Sequence, residues 1–447
     1  MRWPRSWIDA WDPENPLFWE RTGRRIARRN LVWSIFAENL GFSVWLVWSV
    51  VATRLPAAGF RYTTEQLFAL VSLPGLAGAL LRFPYTFAVP RFGGRNWTAV
   101  SALLLLIPTL ALATLVGRPD TPFWLMALAA ASAGFGGGNF ASSMANISFF
   151  FPDRDKGLAL GLNAAGGNLG VATVQLCVPL VVGAGAAHLS RAGTLWLPLI
   201  VAAAAGAFLF MDNLSTARSS FRDQLAVARD KHTWIVALLY IGTFGSFVGY
   251  SAAFPLLLRT QFPMVTTSLA FLGPLAGSLA RPLGGRLADR LGGARVTLAS
   301  FAVMAASAAG VLFAMQHHAP GGFVGAFLAL FVASGLGNGS TFRMIPAIFR
   351  AQALAGASRD GAATAAAHLR ARRDSAAVIG LASAVGALGG FFIPRALGAS
   401  IHATGGPAAA FSAFLACYFF CVALTWWHYL RASFLVTRLP SLAHAAV

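Results

Sequence analysis

Long apolar runs separated by short polar stretches recur along the chain from about residue 30 to residue 430. A helix needs roughly 20 apolar residues to cross the ~30 Å hydrocarbon core of a bilayer, and these runs are long enough. The pattern predicts twelve membrane-spanning helices, at residues 31–53, 65–89, 97–117, 123–146, 158–186, 194–212, 233–258, 266–287, 296–316, 321–342, 377–397 and 409–430. The predicted fold class is therefore an all-α integral membrane protein.

The composition supports this prediction. Only 11% of the 447 residues are charged, whereas 57% are hydrophobic. Soluble domains are about 25% charged, so a soluble globular protein is excluded. The cysteines Cys177, Cys417 and Cys421 lie in apolar runs, at spacings that suit neither a disulfide framework nor a metal site. No metal and no cofactor are predicted.

The basic residues set the predicted orientation. The formal net charge is +19, but the arginines and lysines are scattered between apolar runs, so the charge does not indicate a nucleic-acid partner. They concentrate before the first span and in alternate loops, and basic loops face the cytoplasm. We therefore expect a multi-pass protein of the plasma (inner) membrane, in contact with the lipid bilayer, with both termini cytoplasmic.

The chain contains an internal repeat. LPGLAGALLR at 73–82 aligns with LGPLAGSLAR at 272–281, and SAGFGGG at 132–138 aligns with ASGLGNG at 333–339. Such repeats indicate two homologous halves of six spans each. The predicted organisation is a cytoplasmic N-terminal segment, a six-helix half, a cytoplasmic linker, a second six-helix half and a cytoplasmic tail, at residues 1–30, 31–212, 213–232, 233–430 and 431–447.

Two arginines occupy equivalent positions of this repeat, Arg82 in the first half and Arg281 in the second. A charge at membrane depth costs at least about 2.5–3.5 kcal/mol on insertion scales, so two at matched positions indicate a shared task. Both should face the central axis between the halves. The alternative is that each side chain merely extends to the inner interface, about 12 Å away along the helix.

The charge balance inside the membrane favours an anion site. Of the fifteen acidic residues, only Glu38 lies well inside a predicted span. Two arginines with at most one carboxylate leave an electropositive pocket, and the planar fork of a guanidinium suits a small flat oxyanion.

Glycines concentrate in the fifth and eleventh predicted spans. GLNAAGGNLG at 161–170 aligns with GLASAVGALG at 380–389. Small residues at helical spacing let helices approach closely and slide, although static packing alone would also use them. The glycines expected to take part in conformational change are Gly161, Gly166, Gly167, Gly170, Gly386, Gly389 and Gly390.

The paired halves resemble the major facilitator superfamily, whose loop motif matches Asp289 and Arg290 within GGRLADRLGG; the first half has Pro90 and Arg91 instead, a degenerate copy. Within that superfamily, the chain resembles the nitrate/nitrite porter family, the NarK-type transporters. This resemblance covers the chain from about residue 30 and is carried by FGGGNFASSMANISFFFP, GLNAAGGNLGVATVQL, FGSFVGYSAAF, GNGSTF and GALGGFFIP.

The resemblance implies a twelve-helix carrier of nitrate or nitrite that works by alternating access. It implies that the anion is held between Arg82 and Arg281. It also implies substrate-binding roles for an aromatic, an asparagine and two seventh-span aromatics, matching Phe140, Asn168, Tyr240 and Phe244. Tyr240 and Phe244 are four residues apart and share a helix face, which ordinary packing would also explain.

Glu38 departs from the exchanger branch of the family, which tends to have an apolar or neutral residue in this part of the first span. It lies nine residues after Arg29, about 13 Å into the membrane. Burial disfavours a charged carboxylate and a nearby guanidinium favours it, so protonation of Glu38 would depend on whether nitrate occupies the arginines. The sequence therefore predicts nitrate uptake by proton symport. The alternative is nitrate/nitrite antiport, with Glu38 in a permanent ion pair or as a hydrogen-bonded structural carboxylate.

Other classes of function fit less well. A membrane anion sensor or channel is a more distant alternative, since matched halves and glycine-rich interfaces favour a carrier. An enzyme is not predicted, because no serine and histidine constellation lies within a span. The expected partners are nitrate, nitrite and protons, and nothing in the sequence requires more than a monomer.

Overall fold

The structure is a computed structural model of the chain and describes residues 7–183, 188–217, 226–355 and 361–431. Residues 218–225 of the predicted linker and 432–447 of the predicted tail lie outside the described residues, as do residues 1–6 of the N-terminal segment.

The N-terminal half is built of helices joined by short turns. These helices are α1 (Pro16–Phe18), α2 (Arg24–Trp45), α3 (Trp48–Arg54), α4 (Thr64–Phe92), α5 (Gly94–Leu104), α6 (Leu106–Leu115), α7 (Phe123–Ser132), α8 (Gly134–Phe150), α9 (Asp153–Val182), α10 (Arg191–Thr194) and α11 (Leu197–Phe210). A π turn at Trp19–Gly23 joins α1 to α2, and a 3-10 turn at Pro56–Ala58 follows α3.

The C-terminal half follows the same plan. Its helices are α12 (Lys231–Tyr240), α13 (Ser246–Gln261), α14 (Leu272–Leu291), α15 (Gly293–Gln316), α16 (Pro320–Ala355), α17 (Gly361–Ala387), α18 (Gly389–Thr404) and α19 (Ala408–Thr425). A π turn at Ile241–Gly245 joins α12 to α13, a 3-10 turn at Thr267–Phe271 precedes α14, and a second π turn at Trp426–Leu430 follows α19.

Ten helical segments within the described residues are long and apolar enough to cross a membrane. They coincide with ten of the twelve predicted spans. The fourth predicted span is helical but interrupted at Ala133, between α7 and α8. The eighth corresponds to α14, which contains four charged residues, Arg281, Arg286, Asp289 and Arg290. The membrane-spanning helical fold is confirmed, whereas the count of twelve stays a prediction.

The turns after α4 and α14 show the repeat in three dimensions. Gly93 and Gly292, which are 199 residues apart, both have positive φ, of 85° and 89°, and each separates two long helices. Residues with a Cβ rarely adopt this conformation, so glycine is required at both turns. The equivalent sequence motifs therefore form equivalent turns.

The N-terminal segment folds onto one end of the first half. Trp7–Ile8 forms a short parallel strand, β1, with the strand β2 at Asn213–Leu214. The Asn213 side-chain oxygen accepts a hydrogen bond from the backbone N–H of Arg95 at 2.9 Å, which satisfies a donor in the first turn of α5. Trp11 packs edge-on against Phe150, with ring centroids 5.4 Å apart.

The backbone groups into two compact units. The first comprises Met1–Ser219, Val248–Leu275 and Gly390–Gly406, and the second comprises Ser220–Phe247, Ala276–Gly389 and Pro407–Val447. Parts of α13, α14 and α18 thus pack with the N-terminal half. Because the units are not the two sequence halves, the predicted domain boundaries stay a prediction.

Three contacts join α13 and α18 to the N-terminal half within the first unit. The Gln175 amide donates to the carbonyl oxygen of Ser251 at 2.7 Å, and Arg395 forms a salt bridge with Glu65 at 3.1 Å. A Cβ atom on Gly75 would lie 2.4 Å from the carbonyl carbon of Gly390, so α4 and α18 touch backbone to backbone.

Candidate functional site

Arg82 lies fully buried on α4, with 0% of its surface exposed. Its Nε donates a hydrogen bond to the carbonyl oxygen of Gly137 on α8 at 3.0 Å. Its Cζ lies 4.7 Å from the ring centroid of Phe140 and 5.4 Å from that of Trp45. The guanidinium is therefore oriented by one carbonyl and two aromatic faces in the protein interior, which favours a binding role over extension to the interface.

Trp45 is a member of this site that the sequence analysis missed. Its indole N–H donates to the carbonyl oxygen of Pro74 at 2.7 Å, which fixes the ring beside Arg82. A Cβ on Gly78 or Gly137 would lie within 3.0 Å of the same indole, so both glycines make room for it. The signal that could have identified it is the presence of a tryptophan within the first span, because a cation inside the membrane is stabilised by an aromatic neighbour.

Arg281 on α14 is also buried, with 4% exposed. Its Nη2 donates to the phenolic oxygen of Tyr240 at 3.3 Å, and its Cζ lies 5.7 Å from the ring centroid of Phe342. Tyr240 and Phe244 stack, with ring centroids 5.2 Å apart and planes inclined by 17°. Three predicted site residues thus meet in the second unit. Phe342 lies beside them and was not predicted from the sequence.

A π turn begins directly after Tyr240 and contains Phe244. Ile241–Gly245 winds more widely than an α-helix and lies directly between Tyr240 and Ser246. π turns within helices are frequent at functional sites because they displace side chains from the regular helical positions. Here the wider turn contains Phe244, so the backbone irregularity lies at the predicted substrate-binding aromatics.

Glu38 lies at the centre of a buried polar cluster, with 1% exposed. Its Oε2 accepts hydrogen bonds from the side-chain amide of Asn163, at 2.7 Å, and from the hydroxyl of Ser143. The Asn163 amide also donates to Ser143, and the hydroxyls of Ser143 and Ser34 are 2.9 Å apart. Helices α8 and α9 therefore supply neutral donors to a carboxyl group on α2, and none of these partners was predicted from the sequence.

The predicted glycines differ in what surrounds them. At six of them, a Cβ atom added to the glycine would come within 3.0 Å of another residue. The distances from that Cβ are 2.5 Å for Gly166 to Ile35, 2.6 Å for Gly167 to Glu38, 2.2 Å for Gly170 to Asn39, 2.5 Å for Gly386 to Tyr240, 2.3 Å for Gly389 to Gly245 and 2.9 Å for Gly390 to Val248. Real Cβ atoms essentially never come closer than 3.0 Å to another residue, so a larger residue at these positions forces its neighbour to move. The neighbour is backbone at Gly170 and Gly389, and close packing therefore requires glycine at these two positions. Gly161 is different, because no described atom beyond its chain neighbours and its own helix backbone lies within 4 Å of its Cβ position.

This contrast predicts opposite effects of alanine on one helix, α9. Gly170→Ala should lower the free energy of unfolding by about 1–3 kcal/mol, because the new methyl group meets the carbonyl oxygen of Asn39, which cannot rotate away. Gly161→Ala, the matched control, should leave it unchanged or raise it slightly. Thermal unfolding of the purified variants in detergent measures both. Equal stability of the two variants would contradict the close approach of α2 and α9.

Within the described part of the chain, three buried asparagines have no hydrogen bond to either side-chain amide atom. Neither amide atom of Asn139, Asn168 or Asn338 has a partner among the described residues. Asn168 lies on α9 with 1% exposed, and its predicted role in substrate binding stays a prediction. An unsatisfied buried amide is rare in folded proteins, which makes these side chains candidates for hydrogen bonds to a water molecule or a ligand.

The loop motif forms an exposed ion pair. The carboxylate of Asp289 accepts from Nε of Arg343 at 2.7 Å and from its Nη2 at 2.5 Å, which joins α14 to α16. Both side chains are about half exposed, so the pair is screened by solvent and contributes about 0–1 kcal/mol. The first half has Pro90 at the position of Asp289 and lacks the corresponding carboxylate.

Comparison with known proteins gives a consistent result. The sequence pattern of the Major Facilitator Superfamily matches residues 39–369. The nitrate/nitrite transporter NarU of Escherichia coli (strain K12) is 45% identical over 450 residues, covering 96% of this chain and 97% of that protein. The probable nitrate/nitrite antiporter NarK2 of Thermus thermophilus is 38% identical over 457 residues, covering 95% of this chain and 97% of that protein.

Among solved structures, the human organic anion transporter MFSD10 (TETRAN) has a similar fold. The TM-score is 0.62, at 15% sequence identity, over 90% of this chain and 99% of that chain. Identity this low supports the fold alone.

Proposed function

Because the chain belongs to the nitrate/nitrite porters of the Major Facilitator Superfamily, we propose that it carries nitrate and nitrite across the inner membrane by alternating access. The observation that carries the proposal is the pair of buried arginines at equivalent positions of the repeat, Arg82 and Arg281. A buried cation is costly unless a function or a partner stabilises it, and a transported anion supplies that stabilisation in every cycle.

The surroundings of each arginine support anion binding. Arg82 is oriented through Nε and packs on Phe140 and Trp45, and Arg281 is oriented through Nη2 by Tyr240. A guanidinium has five N–H donors in a rigid fork, so fixing one of them sets the direction of the others. Nitrate is planar and its oxygens spread the negative charge, which matches this planar fork. We infer that both guanidiniums donate to the same anion.

The Glu38 cluster supports proton coupling. When Glu38 is ionised, Ser143 and Asn163 donate to its carboxylate; when it is protonated, its hydroxyl can donate to Ser143, which in turn donates to Ser34. The Oε2 atom of Glu38 thus keeps the same hydrogen-bond partners in both protonation states. A carboxyl group that gains and loses a proton once per cycle needs this property, and a permanently ionised structural carboxylate does not.

Coupling to protons has an energetic reason. Moving nitrate into a cell against a negative-inside potential costs about 2.3 kcal/mol per 100 mV for its single charge. Two protons per nitrate would reverse the sign of the transferred charge and drive uptake. Exchange for nitrite is electrically neutral and needs no proton; this antiport is the second candidate, because the relative NarK2 is named a probable antiporter.

Nitrate uptake into proteoliposomes containing the purified protein tests the proposal. An inward proton gradient is imposed, and the vesicles are either empty or loaded with nitrite. Accumulation in empty vesicles that collapses when the gradient is dissipated is the result expected for symport. Uptake only into nitrite-loaded vesicles would instead establish antiport. If neither condition gives saturable uptake, the proposal of nitrate transport is overturned.

A further inference from the structure

Asn338 on α16 is fully buried, with 0% exposed, and neither atom of its side-chain amide has a hydrogen-bond partner among the described residues. A buried amide normally has partners, because removing it from water without a hydrogen bond is unfavourable. The second unit therefore contains a donor and an acceptor that nothing described in the protein satisfies.

The packing of α16 shows where this amide points. A Cβ on Gly337 would lie 2.8 Å from Thr243 in the π turn, and a Cβ on Gly339 would lie 2.1 Å from the carbonyl oxygen of Arg281 on α14. Successive residues of a helix are about 100° apart, so the side chain of Asn338 projects between these two contacts. It therefore points toward the gap between the π turn and α14.

The next residue on the same face of α16 supports this direction. Phe342 follows Asn338 by four residues, so the two side chains lie one above the other. The Phe342 ring lies 5.7 Å from Cζ of Arg281 and 6.3 Å from the ring of Tyr240. Asn338 thus lies one helical turn from a residue that contacts both Arg281 and Tyr240.

The repeat gives an independent reason. In the alignment of SAGFGGG with ASGLGNG, Asn338 corresponds to Gly137 of the first half. The carbonyl oxygen of Gly137 accepts the hydrogen bond from Nε of Arg82. In the first half, this repeat position lies beside Arg82 and supplies a backbone acceptor. In the second half, the same position carries the carboxamide side chain of Asn338.

We propose that the amide N–H of Asn338 donates a hydrogen bond to the transported oxyanion beside Arg281. This inference rests on the proposed function and adds a ligand to it. A neutral donor strengthens binding without adding a third cation, and it binds one oxygen of the anion while the guanidinium fork binds others. The anion thereby satisfies the amide hydrogen of Asn338 when the site is occupied.

The test compares the wild type with Asn338→Leu, which has nearly the same shape and no donor. The KM for nitrate in proteoliposomes should rise about tenfold or more, as expected for loss of a hydrogen bond to a charged ligand, with the maximal rate within about twofold. Nitrate should also raise the unfolding temperature of the purified variant less than that of the wild type. Ser334→Ala is the matched control: Ser334 is buried one turn earlier on the same face, its hydroxyl bonds the carbonyl of Phe331, and the KM of this variant should not change.

Two further variants keep the test decisive if Asn338→Leu does not fold. Asn338→Asp should lose nitrate stabilisation almost completely, because a carboxylate repels the anion, and Asn338→Ser should retain part of it. A KM within about twofold of the wild type in Asn338→Leu, or full nitrate stabilisation in Asn338→Asp, would overturn the inference even if the variant is less stable. Absence of saturable nitrate uptake by the wild type would instead overturn the proposed function.

Discussion

Replacing Arg82 or Arg281 by lysine should lower nitrate uptake at subsaturating concentration by at least about a hundredfold. Lysine keeps the positive charge but not the planar fork, so about two charge-assisted hydrogen bonds to the anion are lost, at roughly 1.5–3 kcal/mol each. Lysine at position 82 would also lose the bond from Nε to Gly137 and the flat contact with Phe140. Uptake of labelled nitrate into proteoliposomes measures the change.

Arg118→Lys is the control for this pair. Arg118 lies exposed in the turn after α6, and its replacement should leave uptake unchanged. The unfolding temperature of each variant in the absence of nitrate separates lost binding from lost folding. Near-normal uptake by either buried-arginine variant, with normal stability, would show that the matched arginines do not bind the anion.

Replacing Glu38 by glutamine should abolish proton-driven accumulation of nitrate while leaving counterflow exchange. The glutamine side chain still accepts from Asn163 and Ser143 through its oxygen, so the cluster of α2, α8 and α9 keeps its shape. It cannot carry a proton, and each proton that moves down an electrochemical gradient equivalent to 100 mV releases about 2.3 kcal/mol, enough for about 50-fold accumulation. The internal-to-external nitrate ratio at steady state, with and without the gradient, is the measurement.

Glu20→Gln provides the comparison for Glu38. Glu20 is exposed in the π turn before α2, so its replacement should leave both accumulation and counterflow intact. Loss of accumulation and of counterflow together in Glu38→Gln would indicate a structural carboxylate. Undiminished accumulation would remove Glu38 from the coupling mechanism.

The sequence predicted those parts of the candidate site that depend on local spacing or on the repeat. Tyr240 and Phe244 stack because residues four apart share a helix face, and the matched arginines follow from the alignment of the halves. Trp45 and Phe342 were missed, since their contacts with the arginines depend on which faces of distant helices pack together. Hydrophobic periodicity identifies apolar faces but does not specify which distant helix each face contacts.

The helix boundaries show a similar limit. Ten predicted spans coincide with long apolar helices, because the length of an apolar run alone identifies them. The interruption at Ala133 and the π turn at Ile241–Gly245 could not be predicted, since nearby small residues and tertiary packing, rather than a proline, mark both places. Neither irregularity changes the hydrophobic pattern, although one of them lies at the candidate site.

The contacts within the first unit at Gly75, Glu65 and Gln175 are expected to influence the turnover number of the carrier. In the proposed alternating-access cycle, those of the contacts with Gly390, Arg395 and Ser251 that separate add their free energy to the barrier for reorientation. Each 1.4 kcal/mol of that barrier slows the step tenfold. A partly exposed ion pair contributes at most about 1 kcal/mol, so the pair of Glu65 and Arg395 slows the step by less than about tenfold. Substitutions at these positions should therefore change the turnover number and leave the affinity for the anion unaltered.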